Sequence, residues 1–488
     1  MANVQFLSSS FTSRKFIGKI QTAESIRISV KQDITEVVSV GIENCINSYE
    51  STVGEASFYG KTNIRLLYSD GTNLCSSSYN ADFTASIQSE LLTADSKLTF
   101  DVVTVDSKAD TNANTATISV LLEVSVYAYV AQSTPYFADG EDIYVNKQSV
   151  EVLEHANVVN LPMVLDEELT ASHNISTVLL AECSLCAGNY SVHDGVLQIS
   201  GSGSARLTYL SGGDIVTDTL PFDFDRELEV DDGMAECQLR LTLCPKTTKV
   251  RLDISEGDVN TTFTMEIGAM VTVEATKIGV MDIVTDAYGS GCDFGFTRQT
   301  VTTTIPCGST VCRKTVNASL PVEKDKRPLT AVNVGAIVTN AQSREKSAQV
   351  DGVVYATLLY GTENSYIGEQ LELPFSQTVD VDYLMPQCKS HARVTVMGIS
   401  VKDDVTLDLC ITVDAEREVC YTVIVAAEEQ PFDKEQLPAI EVCLAHKGET
   451  LWNLAKSLHM SQEDLLSTNP QITNPLEQDA RIVVFNHI

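Results

Sequence analysis

Hydrophobic residues occupy every second position over long stretches of this chain. Ala116, Ile118, Val120, Leu122, Val124, Val126, Ala128 and Val130 hold that period without a break. Phe263, Met265, Ile267, Ala269, Val271 and Val273 repeat it, with Thr264, Glu266, Gly268, Met270, Thr272 and Glu274 between them. Val405, Leu407, Leu409, Ile411 and Val413 do the same around Thr406, Asp408, Cys410 and Thr412. A period of two sends alternate side chains to opposite faces, so each run predicts a strand with one buried and one wetter face. Turn formers separate such runs, as at Ser69-Asp70-Gly71, Ser211-Gly212-Gly213 and Asp403-Asp404. This pattern favours antiparallel sheets in sandwiches over a parallel α/β architecture. Helical spacing is confined to roughly the last fifty residues.

Self-comparison divides the β region. Gly60 and Tyr68, Gly201 and Tyr209, Gly352 and Tyr360 form three Gly-x7-Tyr pairs. Phe83, Phe224 and Phe375 follow those tyrosines at one common distance. Lys147-Gln148-Ser149-Val150 stands as far before Tyr209 as Arg298-Gln299-Thr300-Val301 stands before Tyr360. Asp33-Ile34-Thr35-Glu36-Val37 aligns with Asn174-Ile175-Ser176-Thr177-Val178 at the offset that relates Tyr68 to Tyr209, and Asn3-Val4-Gln5 echoes Asn146-Lys147-Gln148. A period far beyond the roughly 20–50 residues of solenoids predicts tandem domains. The expectation is a mainly β chain with three antiparallel β-sandwich-like repeats at 1–145, 146–296 and 297–430. A linker at 431–440 and a small βααβ module at 441–488 complete it.

In that last segment Val442 and Leu444 alternate as a strand would, and Gly448 breaks the pattern at a turn. Thr450 is placed to cap a helix carrying Leu451, Leu454, Ala455 and Leu458 at helical spacing. Ser461 and Asp464 read as a variant capping box for a second helix bearing Leu465 and Leu466. Asn469-Pro470 stops that helix, and Arg481 to Phe485 supplies a return strand. A unit this small has few core residues, so Trp452 is expected to form much of its core.

Gly448-Glu449-Thr450-Leu451, Leu454-Ala455, Asn469 and Ile482 stand where the LysM module carries its Gly-Asp-Thr-Leu step, apolar-alanine pair, loop asparagine and closing strand. The segment closely resembles that module, with Glu449 for its aspartate and Asp479-Ala480 for its glycine-glutamine step. The resemblance implies a groove between two loops for the N-acetylglucosamine backbone of peptidoglycan or chitin, lined by Gly448, Glu449, Thr450, Leu451, Asn469, Pro470, Gln471 and Ile472. The three upstream copies resemble the SPOCS-type domain of spore-coat proteins. Three such copies before one LysM resemble the SipL-like family of coat morphogenetic proteins. This implies a scaffold on the forespore surface, in the mother-cell cytoplasm, that binds a SpoIVA-like coat-basement ATPase and other coat proteins through its LysM end. Peptidoglycan is the alternative ligand.

With 33 basic and 66 acidic residues the chain carries a formal charge of −33, which repels nucleic acid and anionic bilayers. Met1-Ala2-Asn3-Val4-Gln5-Phe6-Leu7 lacks the basic start of a signal peptide, and no apolar window is long enough to span a membrane, so a cytosolic protein without membrane insertion is expected. Its 13 cysteines do not form a secreted-type framework and are expected to be mostly reduced. Cys183-x2-Cys186 has zinc-like spacing, but an offset of three on a strand points its members to opposite faces. The seven histidines show no metal or acid–base spacing. Gly201-Ser202-Gly203-Ser204 is expected at a turn, Asp293-Phe294-Gly295 is a chance match to a kinase motif, and Asp223 to Asp232 reads as an acidic solvated edge. No enzyme, cofactor or metal is expected.

Overall fold

The computed structural model describes residues 4–252, 260–320, 328–362, 365–431 and 438–485. Asn3, His487 and residues 432–437 of the expected linker lie outside them. The chain is mainly β, in small antiparallel sheets. It runs through β1 (Val4–Ser29), β2 (Glu36–Thr52), β3 (Glu55–Ser69), β4 (Leu74–Gln88), β5 (Lys97–Asn112) and β6 (Thr115–Gly140). β7 (Ile143–Thr170), β8 (Thr177–His193), β9 (Val196–Ser211), β10 (Asp214–Glu229), β11 (Gln238–Leu252) and β12 (Thr262–Gly289) follow. Next come β13 (Cys292–Ser319), β14 (Thr330–Arg344), β15 (Ser347–Gly361), β16 (Tyr366–Asp380), β17 (Lys389–Val401) and β18 (Asp404–Pro431). The C-terminal segment adds β19 (Ile440–Ala445), α1 (Leu451–Ser457), α2 (Gln462–Thr468) and β20 (Ala480–Phe485).

Each set of six strands has one order. Its second, third and fourth strands form a meander, and its sixth lies between its first and fifth. The two sheets face each other across an apolar layer, as where Ile118, Leu122 and Val124 of β6 share a core with Phe58, Ile64 and Leu66 of β3. Turns at Glu141-Asp142 and Ser290-Gly291 join successive units.

The glycine and phenylalanine anchors acquire a physical reason here. Gly60, Gly201 and Gly352 lie directly across the ladder from Phe83, Phe224 and Phe375. A Cβ at Gly201 or Gly352 would come 2.5 Å from the partner's ring, so the phenyl occupies the space a side chain would take. Gly201-Ser202-Gly203-Ser204 therefore sits in the middle of β9 rather than at a turn. Its glycines were turn signals in isolation, but Phe222 and Phe224 cover them. Asp223, Asp225, Glu227 and Glu229 point outward along β10, the edge strand of its sheet.

Each unit touches both of the others. The long strands run past their sandwiches and pack together through Phe11, Val150, Val152, Ile283, Val301 and Val423. Val38, Leu67, Leu179, Leu180, Val332 and Leu359 join the meanders. Two buried polar networks accompany these contacts. In the first, Glu416 lies 3.5 Å from Arg14 and 3.3 Å from Arg240, so one carboxylate of the third unit meets an arginine from each of the others. Glu274 accepts a 3.1 Å hydrogen bond from Tyr129. In the second, Arg65 pairs with Glu43 at 2.7 Å and Glu182 at 3.7 Å, Arg206 reaches Glu182 at 3.9 Å, and Asn333 donates to Ser39, which donates to Thr357. Arg65, Arg206 and Thr357 occupy equivalent places, each shortly before an anchor tyrosine.

Cys186 is bonded to Cys410, joining β8 to β18, while the other eleven cysteines are free. Cys183 belongs to the core of its own sandwich, whereas Cys186 faces Met397 and Cys410 of the next. Opposite faces of β8 thus serve two different interfaces.

Candidate functional site

The C-terminal module has its two helices over one face of the β19–β20 ladder. Thr450 Oγ1 accepts from Asn453 N at 3.2 Å, and Ser461 Oγ accepts from Asp464 N at 2.9 Å, so both short helices start on a hydroxyl cap. Gly448 has φ +89°, a left-handed conformation that glycine adopts without strain. Gly448 N donates to Leu476 O at 2.8 Å and Leu476 N to Glu449 O at 2.9 Å. Leu451 N donates to Asn474 Oδ1 at 3.0 Å, so backbone and side-chain bonds zip the two connecting loops together.

The residues predicted to line a groove separate into two groups. Gly448, Pro470 and Gln471 are exposed, and Glu449 and Thr450 are half-buried. Leu451 and Ile472 point into the core, and Asn469 is fully buried. Asn469 Nδ2 donates to Leu465 O at 3.0 Å and Val483 O at 2.8 Å, while its Oδ1 accepts from Val483 N at 2.8 Å. That amide ties α2 to β20 and has no polar atom left for a ligand. Leu451, Asn469 and Ile472 are therefore structural. Glu449 accepts from His446 N at 3.0 Å at the module's surface.

Trp452 departs further from expectation. Only half-buried, it packs at the margin of the module's core and edge-on against Tyr288, with ring centroids 5.0 Å apart. Its Nε1 donates to Asp286 Oδ2 at 2.9 Å, and Lys456 Nζ reaches Asp286 Oδ1 at 2.6 Å. Tyr288 is fully buried and donates to Met460 O at 2.9 Å. Burial first, then the neighbouring Tyr144 and Asp286, push its phenol well above the usual range. His459 completes the seat, with Nδ1 3.3 Å from Gly289 O and Nε2 3.6 Å from Asp293. The end of β12 and the following turn thus hold the module through α1. Asp286 and Tyr288 went unnoticed in the sequence. Their signal was the i, i+4 pair Trp452 and Lys456, an aromatic and a cation on one helix face that needed a partner.

The opposite face of the ladder is open. Ile440, Val442 and Leu444 are 60%, 61% and 59% exposed, and Phe485 lies across from Ile440. The expected strand is present, but its apolar residues face solvent while Cys443 and Ala445 face the helices. A surface depression of about 550 Å³ lies elsewhere, bounded by Cys186, Asn189, Tyr190, Ser202, Cys312 and Arg313. Among the described residues, no group of three or more His, Cys, Asp or Glu is placed to hold a metal ion. Among them also, no helix is long and apolar enough to cross a membrane. Family models, curated proteins and solved structures yield no match to this chain.

Proposed function

We propose that this chain is a non-enzymatic scaffold of endospore coat assembly, built from three SPOCS-type β domains and a C-terminal LysM module that recognises a protein. The observation that carries the reading is the row Ile440, Val442, Leu444 and Phe485 on the outer face of β19 and β20. A continuous exposed apolar face marks a surface that another protein covers. The module's other side is already committed to Tyr288 and Asp286, so this face is held outward on a β body. The SipL-like resemblance names the occupant as a SpoIVA-like coat-basement ATPase, at the forespore surface in the mother-cell cytoplasm. Other coat proteins would meet the three β units, whose linkage raises local concentration without any one contact being tight.

The alternative is peptidoglycan binding along the loop edge made by Gly448, Thr450, Pro470 and Gln471. The inward turn of Asn469 weighs against it, because a sugar is held by polar groups aimed at it. Pull-down of the full chain on the coat-basement ATPase and on insoluble peptidoglycan separates the two. Val442→Asp with Leu444→Asp should weaken ATPase capture about tenfold or more with circular dichroism unchanged. Strong retention on peptidoglycan with no capture by the ATPase overturns the scaffold reading.

A further inference from the structure

Cys45 and Cys186 are separated by the same interval as Tyr68 and Tyr209. They also hold one place in the fold. Cys45 on β2 lies across from Lys61, and Cys186 on β8 lies across from Ser202, the residue equivalent to Lys61 in the second repeat. Each is absent from the core of its own sandwich; Cys186 packs with Met397 and Cys410 on the fifth and sixth strands of the next unit, and Cys45 stands where β2 meets β11, the fifth strand of the next unit. Cys186 is bonded there to Cys410 of β18. Cys244 of β11 lies beside Cys45: its Sγ is 3.5 Å from the carbonyl of Asn44, the residue that precedes Cys45 on β2. The second pair is a thiol pair at the same kind of junction.

We propose that Cys45 and Cys244 are a second inter-unit disulfide site, closed by exchange with a small-molecule disulfide, so that covalent staples tie unit one to unit two and unit two to unit three. The third junction has no counterpart, because the position related to Cys186 as Tyr360 is to Tyr209 is Ile337, across from Val353. The inference stands apart from the functional reading above. It needs only the recurrence of one register position and the approach of Cys244 to the Asn44-Cys45 step of β2.

The chemistry balances with the disulfide as the oxidant. One protein thiolate attacks a sulfur of the small disulfide and expels one small thiolate, leaving a mixed disulfide. The second protein thiolate attacks the protein sulfur of that bond and expels the other. The protein loses two electrons and two protons, and two small thiols carry them away. Cys45 is the attacking sulfur. A hydrogen bond from Cys244 and the charge of Lys246 hold its thiol low against the opposing effect of burial, while Cys244 is pushed up. Both sulfurs are sheltered at the junction, so closure belongs to folding or to transient opening of that junction, when the small disulfide gains access.

The test folds the full chain in oxidised glutathione, blocks remaining thiols with an alkylating agent, digests without reduction and maps the linked peptides by mass spectrometry. A peptide joining Cys45 to Cys244, beside the one joining Cys186 to Cys410, is the expected result, and excess reduced glutathione during folding should abolish it. In Cys244→Ser the linked peptide should be replaced by one glutathione on Cys45, because the resolving thiol is gone. Alkylated Cys45 and Cys244 in a chain whose Cys186–Cys410 link is closed overturns the proposal. The wild-type map answers the question even where a variant fails to fold.

Discussion

Glu416→Gln alters one buried charge and almost nothing of the side chain's shape. Glu416 is 5% exposed on β18, with Arg14 at 3.5 Å, Arg240 at 3.3 Å and His391 Nε2 at 3.4 Å. Burial alone would raise its carboxyl, but the hydrogen bond from His391 and the charges of Arg14 and Arg240 overcome it and bring the group down to about 2. Against an ordinary value of 4.5, that depression corresponds to about 3 kcal/mol of folded-state stability. Removing one partner of a buried ion pair typically costs about 3–5 kcal/mol, so two routes converge. The folded-state pKa is the lower one, so the contribution is complete above about pH 4.5 and disappears as pH falls through about 2. Urea unfolding of both proteins, followed by far-UV circular dichroism, should show a gap of about 3 kcal/mol near pH 7 that closes toward about pH 2. A gap below about 1 kcal/mol near pH 7, or one that stays constant down to about pH 2, would refute this account of the junction.

Other substitutions probe separate elements. Gly201→Ala places a Cβ 2.5 Å from the Phe224 ring and should cost about 1–3 kcal/mol, whereas Gly291→Ala, with open space around it, should change the unfolding midpoint little. Asp286→Ala removes the acceptor of both Trp452 and Lys456, a partly exposed set worth about 1 kcal/mol. Because Trp452 is the only tryptophan, a red-shifted emission reports its release, and an unshifted spectrum sinks the seat assigned to Tyr288 and Asp286. Asn469→Ala leaves the buried N–H of Val483 without its acceptor and should lower the stability of the C-terminal module by about 2 kcal/mol. Hydrogen exchange should then rise across α2, and unchanged protection there contradicts the structural role.

The period-two runs named real strands because alternation is a local property: every inward residue of Ala116 to Ala128 is buried in β6. Thr450 and Ser461 were legible as caps for the same reason, since a cap reaches only one turn along its own helix. Trp452 was legible only in part: it packs against the module's core, but half-buried and with Tyr288 as its ring partner. Nothing in α1 or its flanks says that Tyr288, far upstream, offers a buried ring, so the module's own core was the natural home for an indole. The glycines of Gly201-Ser202-Gly203-Ser204 misled similarly, because a glycine signals a turn until a phenyl from the neighbouring strand is seen lying over it.

Local patterning by itself determined the strands, the two capped helices and the three recurring glycine, tyrosine and phenylalanine anchors. Only the tertiary structure decided which faces meet. Arg14, Arg240 and Glu416 are unremarked charges in the sequence, yet together they occupy the place where three units converge. Cys186 has the spacing of half a metal motif and becomes half of a staple. Ile440, Val442 and Leu444 of β19 face outward because the helices cover the other side of a two-stranded ladder. The physical reason is range: hydrogen-bond caps and strand periodicity act within a few residues, whereas burial and charge pairing depend on segments that only the folded chain brings within a few ångströms.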